Sequence, residues 1–250
     1  IGKNEIKKII IKFILIKSKI FLFLNFRNIK INSKINMNSK LVGFRNGAKV
    51  ALINKKFLSK FPRAEPYFNY LIPVNDTLKA LHTLARYSRE RSKLQKMICI
   101  TGSNGKTTLK EWLSEILEKF YVTYSTQGNF NNHIGLPLTL SRMPQNTKIC
   151  ILEIGTNKPG EIEFLASMSS PDISVITNIG NAHIGNFKNQ KSIAIEKSKI
   201  FKVLENGVAV IPYQKKFFPI LNSTAKKKFS KIFTFGNYER CSARVLEISE

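Results

Sequence analysis

From about Lys96 onward, apolar positions follow two alternating rhythms. Short unbroken runs, "MICITG", "KICILEIG" and "DISVITNIG", are rich in β-branched residues and have the length of buried strands. Between them the period lengthens. Leu109, Trp112, Leu113, Ile116, Leu117 and Phe120 fall at helical spacing after the first run, so Trp112 is expected in the core. Another helix is expected to begin near "PGEIEFLASM". Strands alternating with helices predict an α/β fold with a parallel sheet covered on both faces.

Before Lys96 the pattern is less regular. Residues 1–40 are low in complexity, without a period or turn punctuation, and read as an unassigned basic leader or the eroded start of a domain. "FRNGAKVALINKK" predicts a short helix, a turn and a strand. In "PVNDTLKALHTLARYSRERSK", Asp76 stands where it would cap a helix whose Leu78, Leu81, Leu84 and Ala85 share one face. His82 on that helix reads as a surface or edge residue, not a ligand. The apolar segment from Ile9 to Phe26 is long enough to suggest a membrane span, but Lys12, Lys17 and Lys19 interrupt it. Each would cost roughly 2.5 to 3.5 kcal/mol near a bilayer centre, so no transmembrane helix is expected. No signal peptide is expected either, because no small-residue cleavage site follows a clean apolar core.

Charge adds a second possibility. The chain carries 41 Lys and Arg against 16 Asp and Glu, a formal net charge of +25. Such an excess would attract nucleic acid, anionic membrane surfaces or phosphorylated substrates. Most of it is Lys set among Ile, Asn and Phe, as in "NSTAKKKFSKIF", with no Arg-rich, aromatic-interleaved patch. A basic binding module is therefore the alternative reading, and nucleic acid is not the expected partner. Cys99, Cys150 and Cys241 are widely spaced with no CxxC pair, which predicts free structural thiols in a reducing, cytoplasmic setting.

The chemistry begins in "ICITGSNGKTTLKEWLSEIL", residues 98–117, where an apolar strand enters a Gly-Lys-Thr turn and then a helix. Such a turn presents backbone N–H groups and the positive end of the helix dipole to an anion. Gly102, Ser103, Asn104, Gly105, Lys106, Thr107 and Thr108 are the expected nucleotide-phosphate cradle, with Lys106 a point charge on the outer phosphates and Thr107 a hydroxyl for Mg²⁺. Ile100 occupies the place of the first glycine of GxxxxGK[ST], so the turn is a tighter variant. Glu153 ends the run "ICILE"; a carboxylate there is costly unless paired or on a metal, which makes it a candidate Mg²⁺ ligand. His183 follows the end of the next strand. Both belong to the carboxyl edge of the sheet, where ligands of doubly wound folds bind.

Five motifs then point to a family. TGSNGKTT, "GNFNNHIGLP" at 128–137, "EIGTNKPGEI" at 153–162, "NIGNAHIGNF" at 178–187 and "AIEKSKIF" at 194–201 occur in the order and spacing of the Mur ligases, which this sequence resembles. The double Asn and the "EIGTNKPGEI" form look most like the members that add D-alanyl-D-alanine to UDP-N-acetylmuramoyl-tripeptide. The resemblance spans about Leu41 to Glu250. It implies a P-loop-type central ATPase domain over 96–250, preceded by a partial small α/β domain for the UDP substrate over 41–95. It also implies amide formation through an acyl phosphate, with ATP and Mg²⁺, in cell-wall synthesis.

By motif match, Thr107 and Glu153 would hold one Mg²⁺ and His183 a second. Lys197 would react with CO₂ to become a carbamate that also meets metal, although its sequence context alone reads as a solvated surface lysine. Asn129, Asn131 and Asn132 would face the substrate; His133 falls at an open position. Three features depart from the family. Its UDP-binding opening is not recognisable in residues 1–40. The chain stops at Glu250, inside the central domain and without the third, so it reads as a fragment expected to turn over little by itself. After "ENGVAVI" an Asn-x-Asp-like turn gives way to "PYQKKFFPIL". A degenerate relative without activity is the remaining alternative.

Overall fold

The computed structural model describes residues 10–16, 19–25, 48–58, 68–182, 184–203 and 206–244. The chain divides into two compact units, Ile1–Glu90 with Leu140–Gln145, and Arg91–Thr139 with Asn146–Glu250.

The first unit carries a four-stranded sheet in the order β1 (Ile10–Ile16), β2 (Lys19–Asn25), β3 (Ala48–Asn54) and β4 (Leu71–Val74). The first two pairings are antiparallel and β3–β4 is parallel. Two strands thus occupy the stretch without sequence punctuation. Its apolar residues run consecutively, so no period-two signal marked them. The strand expected in "FRNGAKVALINKK" is β3; the short helix expected before it falls on residues 41–47, outside the described residues, and a different short helix, α1 (Lys55–Leu58), follows β3. Helix α2 (Thr77–Arg91) starts as expected: Asp76 Oδ1 accepts from the N–H groups of Leu78 at 2.8 Å and Lys79 at 3.0 Å. Leu81 and Ala85 are fully buried, and His82 is half-buried.

The second unit is a seven-stranded sheet, every adjacent pair parallel, in the order β11-β10-β9-β8-β5-β7-β6. Its elements alternate as expected: β5 (Lys96–Thr101), α3 (Lys106–Glu118), β6 (Thr123–Ser125), α4 (Gly135–Arg142), β7 (Ile149–Glu153), α5 (Glu161–Ser169), β8 (Ile173–Ile176), α6 (Gln190–Ser198), β9 (Gly207–Pro212), α7 (Phe218–Lys226), β10 (Phe229–Gly236) and β11 (Ala243–Arg244). On one face Ile98, Ile100, Ile149, Ile151 and Val175 form a cluster under Leu109, Leu113 and Leu117 of α3. Met97 and Cys99, displaced by one residue onto the other face, are fully buried too, as a sheet covered on both sides requires. Among the described residues Cys99, Cys150 and Cys241 form no disulfide.

The expectation for Trp112 fails. Its side chain is 62% exposed, as are Ile116 at 54% and Phe120 at 74%. Helix α3 has two apolar stripes one position apart, and the Leu109–Leu113–Leu117 stripe takes the sheet. Among the described residues no helix is long and apolar enough to cross a membrane.

The strand order sets the site. Chain connections leave central β5 towards β7 and β6 on one side and towards β8, β9 and β10 on the other. The crevice beyond the carboxyl end of β5 therefore lies at the point where the winding reverses.

Candidate active site

The turn after β5 is built for close approach. Gly105 adopts a left-handed conformation (φ 76°) at the N-terminus of α3, leaving the helix amides unobstructed by a capping side chain. A Cβ on Gly102 would lie 1.8 Å from Thr177 Oγ1, so only glycine fits against the end of β8. That strand end clamps the turn: Asn178 Oδ1 accepts from Ser103 N (3.1 Å) and Asn104 N (2.9 Å), Gly180 N donates to Ser103 Oγ (2.8 Å), and Thr177 Oγ1 donates to Asn104 O.

A cavity of about 310 Å³ opens beside the turn, lined by Gly102, Lys106, Asn129, Asn131, Asn132, Glu153, Lys197 and the 155–161 loop. Lys106 Nζ donates to Gly102 O at 2.9 Å and to Ser103 O at 3.3 Å. Lys197 Nζ donates to the same Gly102 oxygen at 2.9 Å. Lys197 is only 2% exposed, which corrects the solvated reading of its sequence context. Its burial arises from α6 packing, which "IEKSKIF" does not reveal. Burial, reinforced by the Lys106 charge and opposed by Glu196, pulls the Lys197 ammonium down to about 7. Burial likewise lowers Lys106, with Glu153 opposing.

Glu153 is 3% exposed at the end of β7. Its Oε2 accepts from Thr107 Oγ1 and its Oε1 from Asn131 Nδ2, both at 2.8 Å, so two neutral donors hold a buried carboxylate. Its own N–H donates to Thr126 Oγ1 at 3.0 Å. Asn132 Oδ1 accepts from Ile134 N and Gly135 N, fixing the start of α4. Thr108 lies exposed on the first turn of α3, away from the cavity lining. His183 lies outside the described residues.

Sequence reasoning missed several members. Glu161 borders the cavity, and its Oε2 accepts from Asn157 N (2.6 Å), Lys158 N (2.9 Å) and Thr156 Oγ1 (3.2 Å). Burial pushes its carboxyl upward, but those hydrogen bonds and the His133 charge outweigh it and leave it below its ordinary value. Glu196, 2% exposed, accepts from Gly160 N (2.8 Å) and Ile162 N (3.1 Å) at the start of α5 and pairs with Lys199 Nζ at 2.7 Å. Asn178 opens the motif at 178–187 and Thr177 precedes it, but their partners lie more than 70 residues away.

The constellation offers two cations and helix N-terminal amides to an anion, and a buried carboxylate with a hydroxyl to a hard cation. Among the described residues no three His, Cys, Asp or Glu side chains gather as a metal cluster. A cation here would draw on Glu153, Thr107 and the ligand's own oxygens, a donor set suited to Mg²⁺.

Comparison with known proteins decides the family. The Mur ligase middle domain matches residues 100–249. The chain belongs to the Mur ligase family. The UDP-N-acetylmuramoyl-tripeptide–D-alanyl-D-alanine ligase of Bacillus subtilis (strain 168) is 45% identical over 147 residues, 58% of this chain and 32% of that protein. A crystal structure of MurF from Acinetobacter baumannii superposes with a TM-score of 0.69 at 34% identity, covering 82% of this chain and 44% of that one. MurF from Thermotoga maritima, solved in complex with ADP, gives 0.67 at 28%, covering 80% and 44%. The chain thus spans about a third of the Bacillus Mur ligase and under half of the two crystallised ones. These relatives share the P-loop-type α/β fold expected from the motifs.

Proposed function

We propose that the protein is an ATP-dependent ligase of peptidoglycan synthesis that joins D-alanyl-D-alanine to UDP-N-acetylmuramoyl-tripeptide. The observation that carries this reading is the convergence of Lys106, Lys197, Glu153 and Thr107 around one turn and one cavity. The Bacillus relative of that name and the ADP complex of the Thermotoga relative support the substrate and the nucleotide.

In this reaction a terminal carboxylate oxygen of the tripeptide takes the γ-phosphoryl group of ATP, and ADP leaves. The amine of D-alanyl-D-alanine then attacks the acyl phosphate carbon; the C–N bond forms, the C–O bond to phosphate breaks, and the amine proton is lost. Positioning and charge neutralisation carry most of the rate. Lys106 exchanges the carbonyls of its own turn for outer phosphate oxygens, alongside the uncapped amides at the start of α3. Thr107 and Glu153 would hold one Mg²⁺, and His183 with carbamylated Lys197 a second. Bound Mg²⁺ supplies charge neutralisation of the phosphoryl oxygens.

The lowered Lys197 supports the carbamate. Near neutral pH a sizeable fraction of the amine is uncharged, and its lone pair can add to CO₂ with loss of a proton, turning a cation into an anion. Asn129, Asn131 and Asn132 face the substrate in this reading. Residues 41–95 belong to a domain for the UDP portion and 96–250 to the ATPase domain. Phosphate release from ATP by the full-length protein is expected to require both UDP-N-acetylmuramoyl-tripeptide and D-alanyl-D-alanine. Equal release with the substrates of a glutamate-adding ligase, or with a folate, would sink the assignment.

A further inference from the structure

We infer that Gln214 is a positioning residue for the phosphate turn, acting through the backbone of Ile179. The pairing of β8 with β9 ends at Val175 and Val210, and the two chains then separate. Beyond that point Gln214 restores a rung. Its Oε1 accepts from Ile179 N at 2.7 Å and its Nε2 donates to Ile179 O at 3.0 Å, so one side-chain amide stands in for the peptide group of a neighbouring strand. The backbone of Gln214 is itself fixed: its N–H donates to Pro212 O, and its carbonyl accepts from Phe217 N and Phe218 N at the start of α7.

What Gln214 holds is the wall of the site. Ile179, 4% exposed, lies between Asn178, whose Oδ1 gathers the amides of Ser103 and Asn104, and Gly180, whose N–H meets Ser103 Oγ. Releasing Ile179 frees both flanking residues from the turn while leaving Lys106, Thr107 and Glu153 in place. Gln214 lies in "PYQKKFFPIL", where the strand end departs from the family pattern, and the geometry gives that departure a task.

The inference rests on the proposed function only for the nature of the anion. The test compares full-length wild type with Gln214→Ala and Gln214→Glu; the latter keeps the shape and the acceptor but loses the donor to Ile179 O. Hydrogen exchange without ligand should rise at 177–182 and 101–105 in both variants and stay unchanged along β5 and β7. Affinity for Mg-ADP should fall about tenfold or more. Exchange that rises evenly across the sheet, or that leaves 101–105 untouched, overturns the inference. Should Gln214→Ala fail to fold, Gln214→Glu gives the same comparison. Wild type that binds no Mg-ADP contradicts the proposed function, and the exchange comparison still decides the role of Gln214.

Discussion

Lys106 and Lys197 share one acceptor: the Nζ atom of each lies 2.9 Å from the carbonyl oxygen of Gly102. Lys197 is buried, and the Lys106 charge on the same oxygen repels it as well, so its proton is held weakly. The folded group titrates near 7, whereas its ordinary value is 10.5. Between those values the unfolded chain binds more protons, so this lysine makes stability rise with pH across that window. Below about 7 both states are charged and the burial cost is fully present. Urea unfolding of wild type and Lys197→Met should show wild type gaining on the variant by up to a few kcal/mol from about pH 6 to about pH 9. A constant difference would mean that Lys197 has its ordinary pKa.

Gly102→Ala should cost on the order of 1 to 3 kcal/mol, because the new methyl group meets Thr177 Oγ1 at 1.8 Å and Thr177 Cβ at 3.0 Å. Nucleotide affinity should fall with it. Adding Thr177→Ala removes the closest clash and should recover part of the stability. Thermal unfolding of the single and double variants checks both statements; additive losses would contradict this packing.

Glu196 orders the loop bordering the cavity. Glu196→Ala leaves two N–H groups at the start of α5 without their acceptor and Lys199 without its partner, a loss of about 3 kcal/mol by denaturant titration. Glu196→Gln keeps an acceptor oxygen and should lose less. Equal losses in the two variants would show that the Lys199 charge pair carries the effect.

Trp112 is the only tryptophan in the chain and is 62% exposed. Its emission should match an indole in water and be quenched readily by acrylamide, and Trp112→Lys should change stability by less than about 0.5 kcal/mol. Blue-shifted, protected emission would place this stripe against another surface.

Local pattern carried much of this site. The strand, turn and helix over 96–118 read directly from an unbroken apolar run, a glycine-lysine-threonine turn and helical spacing. Glu153 stood out because a carboxylate ending an apolar strand needs a reason. Trp112 was misjudged because α3 is apolar on more than one face, and only the sheet's position selects the inner stripe. Lys197 could not be found from its own neighbours, since its burial depends on helix packing. The Thr177, Asn178 and Gln214 contacts join the ends of different parallel strands, and such pairings leave no spacing signal.

In the proposed ligase reaction the substrate carboxylate is phosphorylated before the amide forms. The most direct measurement supplies the full-length protein with UDP-N-acetylmuramoyl-tripeptide labelled with heavy oxygen in its terminal carboxylate, together with ATP, Mg²⁺ and D-alanyl-D-alanine. Mass spectrometry then reads the phosphate released. An acyl phosphate leaves one labelled oxygen in each phosphate, matched to each amide formed. Unlabelled phosphate would mean that ATP is cleaved without activating the carboxylate, and the ligase account would be wrong.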